Sequence, residues 1–559
     1  MIEQLEVDGV PVLLAPGTGQ IRAGLAFRVG FADEPLARRG ITHLVEHLAL
    51  HSAGIADYHY NGATGVEFTF FHMQGSEQDV ATFLSGVCAS LRELPMHRMA
   101  TEKDLLRAEA NGRGGGVAED LPMWRHGARD YGMPSYPEWG LPAITEQDLR
   151  AWVAHFFTRE NAVLWVSGER VPEGLELDLP SGARRPLPTP SSALPVTPAY
   201  FPGPGGVLVW DAVVPRGTAA SVFTDVLERE LRRELRQDGG LSYTVRTDYE
   251  PLGVAQAVVT AVADALPEKQ GALVGGFTDV LAAMRVGRVD ESDVAAVIKQ
   301  RTEALEEAAG RGALVPGQAF NLLLGLPVQD VAEVIAETRA VTAADVAAVA
   351  AAASASGLIR APQSRADWAG CTAAPASSAT VVTGTPYASL DHPHHRLVIG
   401  ADGVSLIDED SVATVRFDAC SIVLAWPDGA RQFVGHDAVV VTVEPSLFAG
   451  AYQALPWLDA RIPSALRVDQ PPRDPSRVPA PRPPSSPGAS QSRIPAILGL
   501  VVLIPLTLFF AVLVLVLVIS LASGAHDPLT EGFLLVVCAA LTALGGFGIH
   551  RCLRRAYRR

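Results

Sequence analysis

Residues 42–51 read THLVEHLALH and place His43, Glu46 and His47 within five positions. If the stretch is helical, His43 and His47 stand four apart on one face, and Glu46, three from His43, leans over the same face. Two neutral imidazoles at that spacing can grip a zinc ion, which in a catalytic site takes three protein ligands and keeps a fourth position for water. Zinc lowers the pKa of that water to about 7, and a carboxylate beside it can remove the proton to leave hydroxide for attack on an amide. Glu46 suits that role. His51 extends the row, but three histidines along a straight helix spread over roughly 12 Å of axis, too far for one ion. It is assigned to the helix terminus or to a supporting place beside the ligands. The motif alone is only suggestive in a chain this long, so the elements that position it must decide its meaning.

Those elements mix strands and helices. IRAGLAFRVG (21–30) alternates as a half-buried strand, EFTFFHMQG (67–75) reads as another, and SEQDVATFLSGVCASLREL (76–94) spaces its apolar residues as a helix. AITEQDLRAWVAHFF opens with a capping box at Thr145 and Asp148 and leads into the apolar strand NAVLWVSGE. A comparable series recurs from Gly205 to about Ala353, so two related lobes are expected, over 1–190 and 200–355.

The order HxxEH inverts the HExxH of the commoner zinc peptidases. In wording and setting, GITHLVEHLAL resembles the pitrilysin, or insulinase, family of metallopeptidases. The resemblance implies a third zinc ligand, a glutamate on a later helix, with a second glutamate seven residues before it. In TEKDLLRAEANGR these are Glu109 as ligand and Glu102 as its supporting carboxylate, with one zinc per chain. It further implies that YNGATGVEFTFF, with Asn61 and Thr64, is the strand that binds an extended peptide, and that Arg236 and Tyr243 of LRQDGGLSYTV lean into the active site from the opposite lobe. An ordinary helix end followed by a strand accounts for those last two residues equally well. The interval from His47 to Glu109 is shorter than is usual in the family, NGRGGG interrupts the second helix, and Gly62 stands where alanine is expected. The fold expected is α+β, with two pitrilysin-like lobes and a zinc-dependent endopeptidase activity. A scaffold or assembly subunit is the alternative, because the family also contains lobes that only hold partners. The complete set His43, Glu46, His47 and Glu109 favours the enzyme. Relatives enclose substrate between two such halves, which implies a homodimer or a pair with a homologous chain.

Composition bounds the rest. The 559 residues exceed one hydrophobic core, and a net charge of −16 disfavours nucleic acid as a partner. Five scattered cysteines without a CxxC pair fit a reducing compartment, and the acidic start carries no secretion signal. Beyond a linker at 356–386, residues 387–465 alternate apolar and polar around Asp402-Gly403 and Asp428-Gly429 and end in a short helix, which is compatible with a small, pleckstrin-homology-like β domain. DHPHH (391–395) is read as part of a solvated tether. A Pro-rich tether follows at 466–493, then apolar runs 494–525 and 533–549, read as two transmembrane helices forming a hairpin over 494–549, and a basic tail at 550–559. Arginines flank the hairpin at both outer ends, Arg473, Arg477, Arg482 and Arg493 before it and Arg551, Arg554, Arg555, Arg558 and Arg559 after it, whereas Asp527 and Glu531 lie between the spans. The positive-inside rule then sets a multi-pass cell-membrane protein with the lobes and the C-terminus in the cytoplasm. Protease added outside intact cells or spheroplasts should therefore spare the lobes; their digestion would overturn this topology.

Overall fold

The computed structural model describes residues 2–51, 59–112, 116–362 and 365–481, with a few positions between 504 and 542. The chain forms two units, Met1–Ala480 and Pro481–Arg559.

In the first unit, one sheet is built from β1 (Glu3–Val7), β2 (Val10–Ala15), β3 (Ile21–Phe27), β4 (Tyr60–Thr64), β5 (Thr69–Gly75) and β6 (Ala162–Ser167), in the order β1-β2-β6-β3-β5-β4. Only the β2–β6 pairing is parallel. Helix α1 (Ile41–Leu50) links β3 to β4, while α2 (Glu77–Arg92), α3 (Met99–Gly112), α4 (Leu121–His126) and α5 (Glu146–Phe156) lie between β5 and β6. The strand β6 is apolar almost throughout and buried along its whole length, as a central strand covered on both faces must be. The α5 capping box forms as expected: Thr145 N–H donates to Asp148 at 2.8 Å and Asp148 N–H returns to the Thr145 hydroxyl at 3.2 Å.

A second sheet repeats this plan. Its strands β7 (Ala199–Gly203), β8 (Val207–Pro215), β9 (Val245–Leu252), β10 (Gln256–Asp264), β11 (Leu358–Pro362) and β12 (Thr372–Ala373) lie in the order β12-β7-β11-β8-β10-β9. Five of them reproduce β2-β6-β3-β5-β4 in order and sense, including one internal parallel pair, β7–β11. The helix α6 (Thr218–Leu231) occupies the connection that α1 occupies in the first lobe, but its sequence TAASVFTDVLEREL holds no histidine. Helices α7 (Gln270–Arg285), α8 (Glu291–Gly310), α9 (Val315–Leu323), α10 (Val331–Ala340) and α11 (Ala343–Ser356) complete the lobe.

The lobes exchange helices. Val315, Ala319 and Leu323 of α9 pack on Leu13, Ala26 and Val163, covering the first sheet on the face opposite α1. Reciprocally, Leu121 and Trp124 of α4 pack on the second sheet, where Trp124 stacks on Phe201 with ring centroids 4.6 Å apart. Beside that contact the buried Arg125 guanidinium forks onto Asp211, with Nε 3.1 Å from Oδ1, and also donates to the Ser356 carbonyl at 3.0 Å. Such a pair orients the lobes more than it stabilises them, because both charges leave water.

The small domain has two sheets. One contains β13 (Gly384–Ala388), β14 (Arg396–Gly400), β15 (Gly403–Asp408) and β16 (Ser411–Arg416). The other contains β17 (Cys420–Ala425), β18 (Arg431–Gly435), β19 (Val440–Val443) and a late strand β20 (Arg467–Asp469) parallel to β17, and α12 (Ala451–Asp459) adds to the shared core.

Two sequence-based boundaries and the assignment of DHPHH to a tether are corrected by these contacts. The expected linker 356–386 contains β11, whose residues are buried between β7 and β8, so it is the closing strand of the second lobe, in the place of β6 in the first. Its short length and neighbouring Ser, Ala and Pro residues disguise it. The expected tether from 466 is anchored to Ala480: β20 pairs with β17, and Arg473 forks onto Glu444 and reaches Asp428 at 2.8 Å. Arg473 is thus neutralised locally and adds little to the positive flank of the apolar runs. The histidines of DHPHH lie between β13 and β14, with His395 Nε2 2.8 Å from Asp408.

In the second unit the backbone is helical at 504, 506–512, 514–515, 518 and 541–542, where Leu506, Leu508, Phe509 and Val512 are exposed. Among the described residues no helix is long and apolar enough to cross a membrane, and most of the expected spans lies outside them.

Because β11 is central to its sheet, a fragment ending at residue 355 should be insoluble or lack a cooperative unfolding transition, whereas 1–480 should unfold cooperatively in urea. Equal cooperativity of the two fragments would contradict the assignment of β11.

Candidate metal centre

The helix α1 is held at its N-terminus by a carboxylate. Gly40, at φ +101°, supplies the left-handed turn into the helix. The buried Glu34 accepts from the Gly40 and Thr42 amides at 3.0 and 2.8 Å and from Arg39 at 2.9 Å, so a negative charge meets the positive end of the helix dipole. Ile41, Leu44, Val45 and Leu48 face the first core. The remaining face presents His43 and His47, their rings edge to face with centroids 4.9 Å apart.

The helix α3 crosses this face and delivers Glu109. Its Oε2 lies 3.9 Å from His43 Nε2 and 3.6 Å from His47 Nε2, and the three ligand atoms all fall within 4.8 Å of one another. A tetrahedral zinc site, with bonds of ~2.0–2.1 Å, separates its ligand atoms by about 3.4 Å, so small side-chain adjustments close these atoms on one ion. The outer ring nitrogens support the same reading. His43 Nδ1 lies 2.7 Å from Glu138 Oε1, and His47 Nδ1 lies 3.4 Å from Glu102 Oε2. A carboxylate on Nδ1 fixes the tautomer that turns the Nε2 lone pair toward a metal. Glu102 is itself held by Arg98 at 2.9 Å. The donor set fits zinc.

Glu46 projects from the same face of α1 and accepts the Thr64 hydroxyl of β4 at 2.7 Å. Burial pushes its carboxyl above the usual carboxylate range, against the opposing pull of His43, Thr64 and His47. Burial lowers the His43 imidazole, but the hydrogen bond and charge of Glu138, together with the charges of Glu46 and Glu109, outweigh it and leave the pKa raised. The departure at Gly62 has a steric reason. A Cβ there would stand 2.8 Å from Glu46 Oε1 and 3.0 Å from Leu50, in the space that the Glu46 side chain fills.

His43, Glu46, His47, Glu102 and Glu109 line a cavity of about 850 Å³ together with Asn61 and Thr64. β4, which carries the last two, is the edge strand of its sheet. His51 sits at the end of α1, exposed, with its ring 6.3 Å from that of His97 and outside the three-residue donor group. Arg236 and Tyr243 are not brought to this cavity. Both are exposed on the second lobe, the guanidinium 5.1 Å from the Tyr243 ring centre, and Arg236 lies in a π-helical segment, Arg232–Asp238. Glu138 and Glu34 escaped sequence reasoning. They lie in irregular segments without helical or strand periodicity, so only the fold brings them to α1.

No protein-family model matches the sequence, and no curated protein matches it. Solved structures do. A protease from Helicobacter pylori superposes with a TM-score of 0.55 at 17% identity, covering 65% of this chain and 99% of its own. An inactive M16 peptidase domain from Pseudomonas fluorescens gives 0.55 at 15%, covering 64% and 97%. The first half of a periplasmic protease from Escherichia coli gives 0.54 at 12%, covering 66% and 93%. Pitrilysin gives 0.51 at 14%, covering 65% of this chain and 45% of its own. This chain therefore has a fold shared by M16 peptidases and by a domain of that type that is inactive.

Proposed function

We propose that the protein is a zinc-dependent endopeptidase attached to a membrane by its C-terminal apolar segment. The observation that carries this reading is the convergence of His43, His47 and Glu109 on one point, with Glu46 beside them and the edge strand β4 lining the same cavity. Zinc bound there would supply Lewis acidity, polarising a scissile carbonyl and lowering the pKa of water at its open position to about 7. Glu46 is the base that takes the proton from the attacking water. Thr64 orients that carboxylate through the 2.7 Å hydrogen bond. An extended peptide adds to β4 beside Asn61, held by main-chain hydrogen bonds that demand no particular sequence.

A purely structural subunit is the competing reading, supported by the inactive Pseudomonas fluorescens domain and by a complex III2 structure from Candida albicans among the similar structures, the latter with a TM-score of 0.55 at 14% identity. The intact donor set favours the enzyme. Pairing, as a homodimer or with a homologous chain, is also proposed. This chain spans 45% of pitrilysin and 55% of the whole Escherichia coli periplasmic protease, and Arg236 and Tyr243 stand exposed away from the cavity of their own chain. The exposed apolar residues of the second unit support the membrane attachment.

Purified protein should hold about one zinc ion, and His43→Ala, His47→Ala or Glu109→Ala should each lose most of it, because three ligands are the minimum for such a site. Zinc analysis after dialysis against a chelator decides this, and full retention by Glu109→Ala would remove it from the ligand set. Glu46→Gln should keep zinc yet cleave a mixed peptide library roughly a hundredfold more slowly; unchanged cleavage would exclude it as the base. Light scattering at assay concentration should find the active species paired, and an active monomer would refute the pairing.

A further inference from the structure

We infer that the small β domain is part of the mount of the metal centre: it braces the 127–143 segment, whose Glu138 holds His43, and so sets the affinity for zinc. This rests on the zinc reading above but does not follow from it, since the metal-binding lobe supplies every ligand.

Ile422 and Leu424 of β17, Val434 of β18 and Val468 of β20 form one buried cluster with Leu36, Ala37, Ala128, Met133 and Tyr136 of the first lobe, and Trp139 and Ala143 pack against it. β17 lies along residues 36–38 and β20 along residues 141–143. A main-chain bond pins the contact, since the Ala128 amide donates to the His436 carbonyl at 3.1 Å. Gly127, at φ +79°, lets the backbones meet there, for a Cβ on it would collide with that same carbonyl.

On its other side the braced segment bears on α1. The backbone at Gly140 passes so close to Arg38 and Arg39 that a Cβ would stand 2.5 Å from them, and a Cβ on Gly40 would stand 3.0 Å from both Glu138 and Leu141. Glu138 is thereby set over the first turn of α1 with its carboxylate 2.7 Å from His43 Nδ1. Residues 133–143 contain only short 3-10 turns, so the segment has no long helix or strand of its own to fix Glu138. The packing on residues 38–40 and the apolar contact with β17, β18 and β20 hold it between them. Loosening that contact lets Glu138 drift, and His43 then loses the acceptor that selects its tautomer and orients its ring.

The test uses the full chain and two readouts that need no substrate: zinc affinity by competition with a chelator, and the visible spectrum of the cobalt-loaded protein. Glu138→Gln should weaken zinc binding roughly tenfold or more. Val468→Ala, from the side of the small domain, and Gly127→Ala, from the side of the lobe, should each weaken it severalfold and shift the cobalt bands. In the Glu138→Gln background either change should add less than about twofold, because both act through that carboxylate. Unchanged zinc affinity in Val468→Ala and Gly127→Ala with a lowered melting temperature, or equal losses in both backgrounds, would overturn the inference. The two variants approach the contact from opposite sides, so failure of one to fold leaves the other decisive. Wild-type protein that binds no zinc would instead sink the peptidase reading.

Discussion

Three carboxylates, Glu46, Glu102 and Glu109, share one partly buried hollow with two imidazoles, a fourth, Glu138, stands behind His43, and the architecture around them answers that crowding. Like charges brought so close in a poorly solvated site are unfavourable unless something positive joins them or a proton neutralises one. The chain meets part of the demand itself, through Arg98 on Glu102, the Thr64 hydroxyl on Glu46 and a raised proton affinity at His43. A divalent cation held by His43, His47 and Glu109 would offset the remainder more directly. The walls of the hollow, α1, α3 and β4, are fixed by interactions outside it.

Those outside interactions come from the whole first unit. The two lobes are one plan used twice, with five strands in the same order and sense, and the helix between the second and third of them along the chain carries the motif only in the first copy. Each lobe lends a helix to the outer face of the other sheet, so neither sheet is covered without its twin. Reciprocal cover of this kind couples the stability of the lobe that carries the His43, His47 and Glu109 cluster to a lobe without that motif. The small domain extends the coupling, since its last strand, β20, lies along the segment leading from Glu138.

Much of this was legible in the chain itself. The period of THLVEHLALH places His43, Glu46 and His47 on one face of any helix they form, and the seven-residue gap from Glu102 to Glu109 does the same on α3, because helical geometry is local. The capping box at Thr145, the strands around 21–30 and 67–75 and the β character of 387–465 follow equally from short-range pattern. The repeat of the lobes showed only as a similar succession of elements; its strand-for-strand identity is a property of pairing, which many sequences satisfy.

Tertiary structure decided the rest, for one physical reason: a contact between residues distant in the chain leaves no period in either segment. Glu138 lies 95 positions from His43 and Glu34 lies in a loop, yet one holds the His43 ring and the other caps its helix. Nothing in the composition of residues 356–362 marks β11, which becomes a strand because β7 and β8 flank it and bury its side chains. Arg473 reads as a free basic flank until the fold sets Glu444 and Asp428 beside it. The chemistry available at the site is written in residue types and spacing; which groups hold that chemistry in place is set only when the lobes and the small domain close on one another.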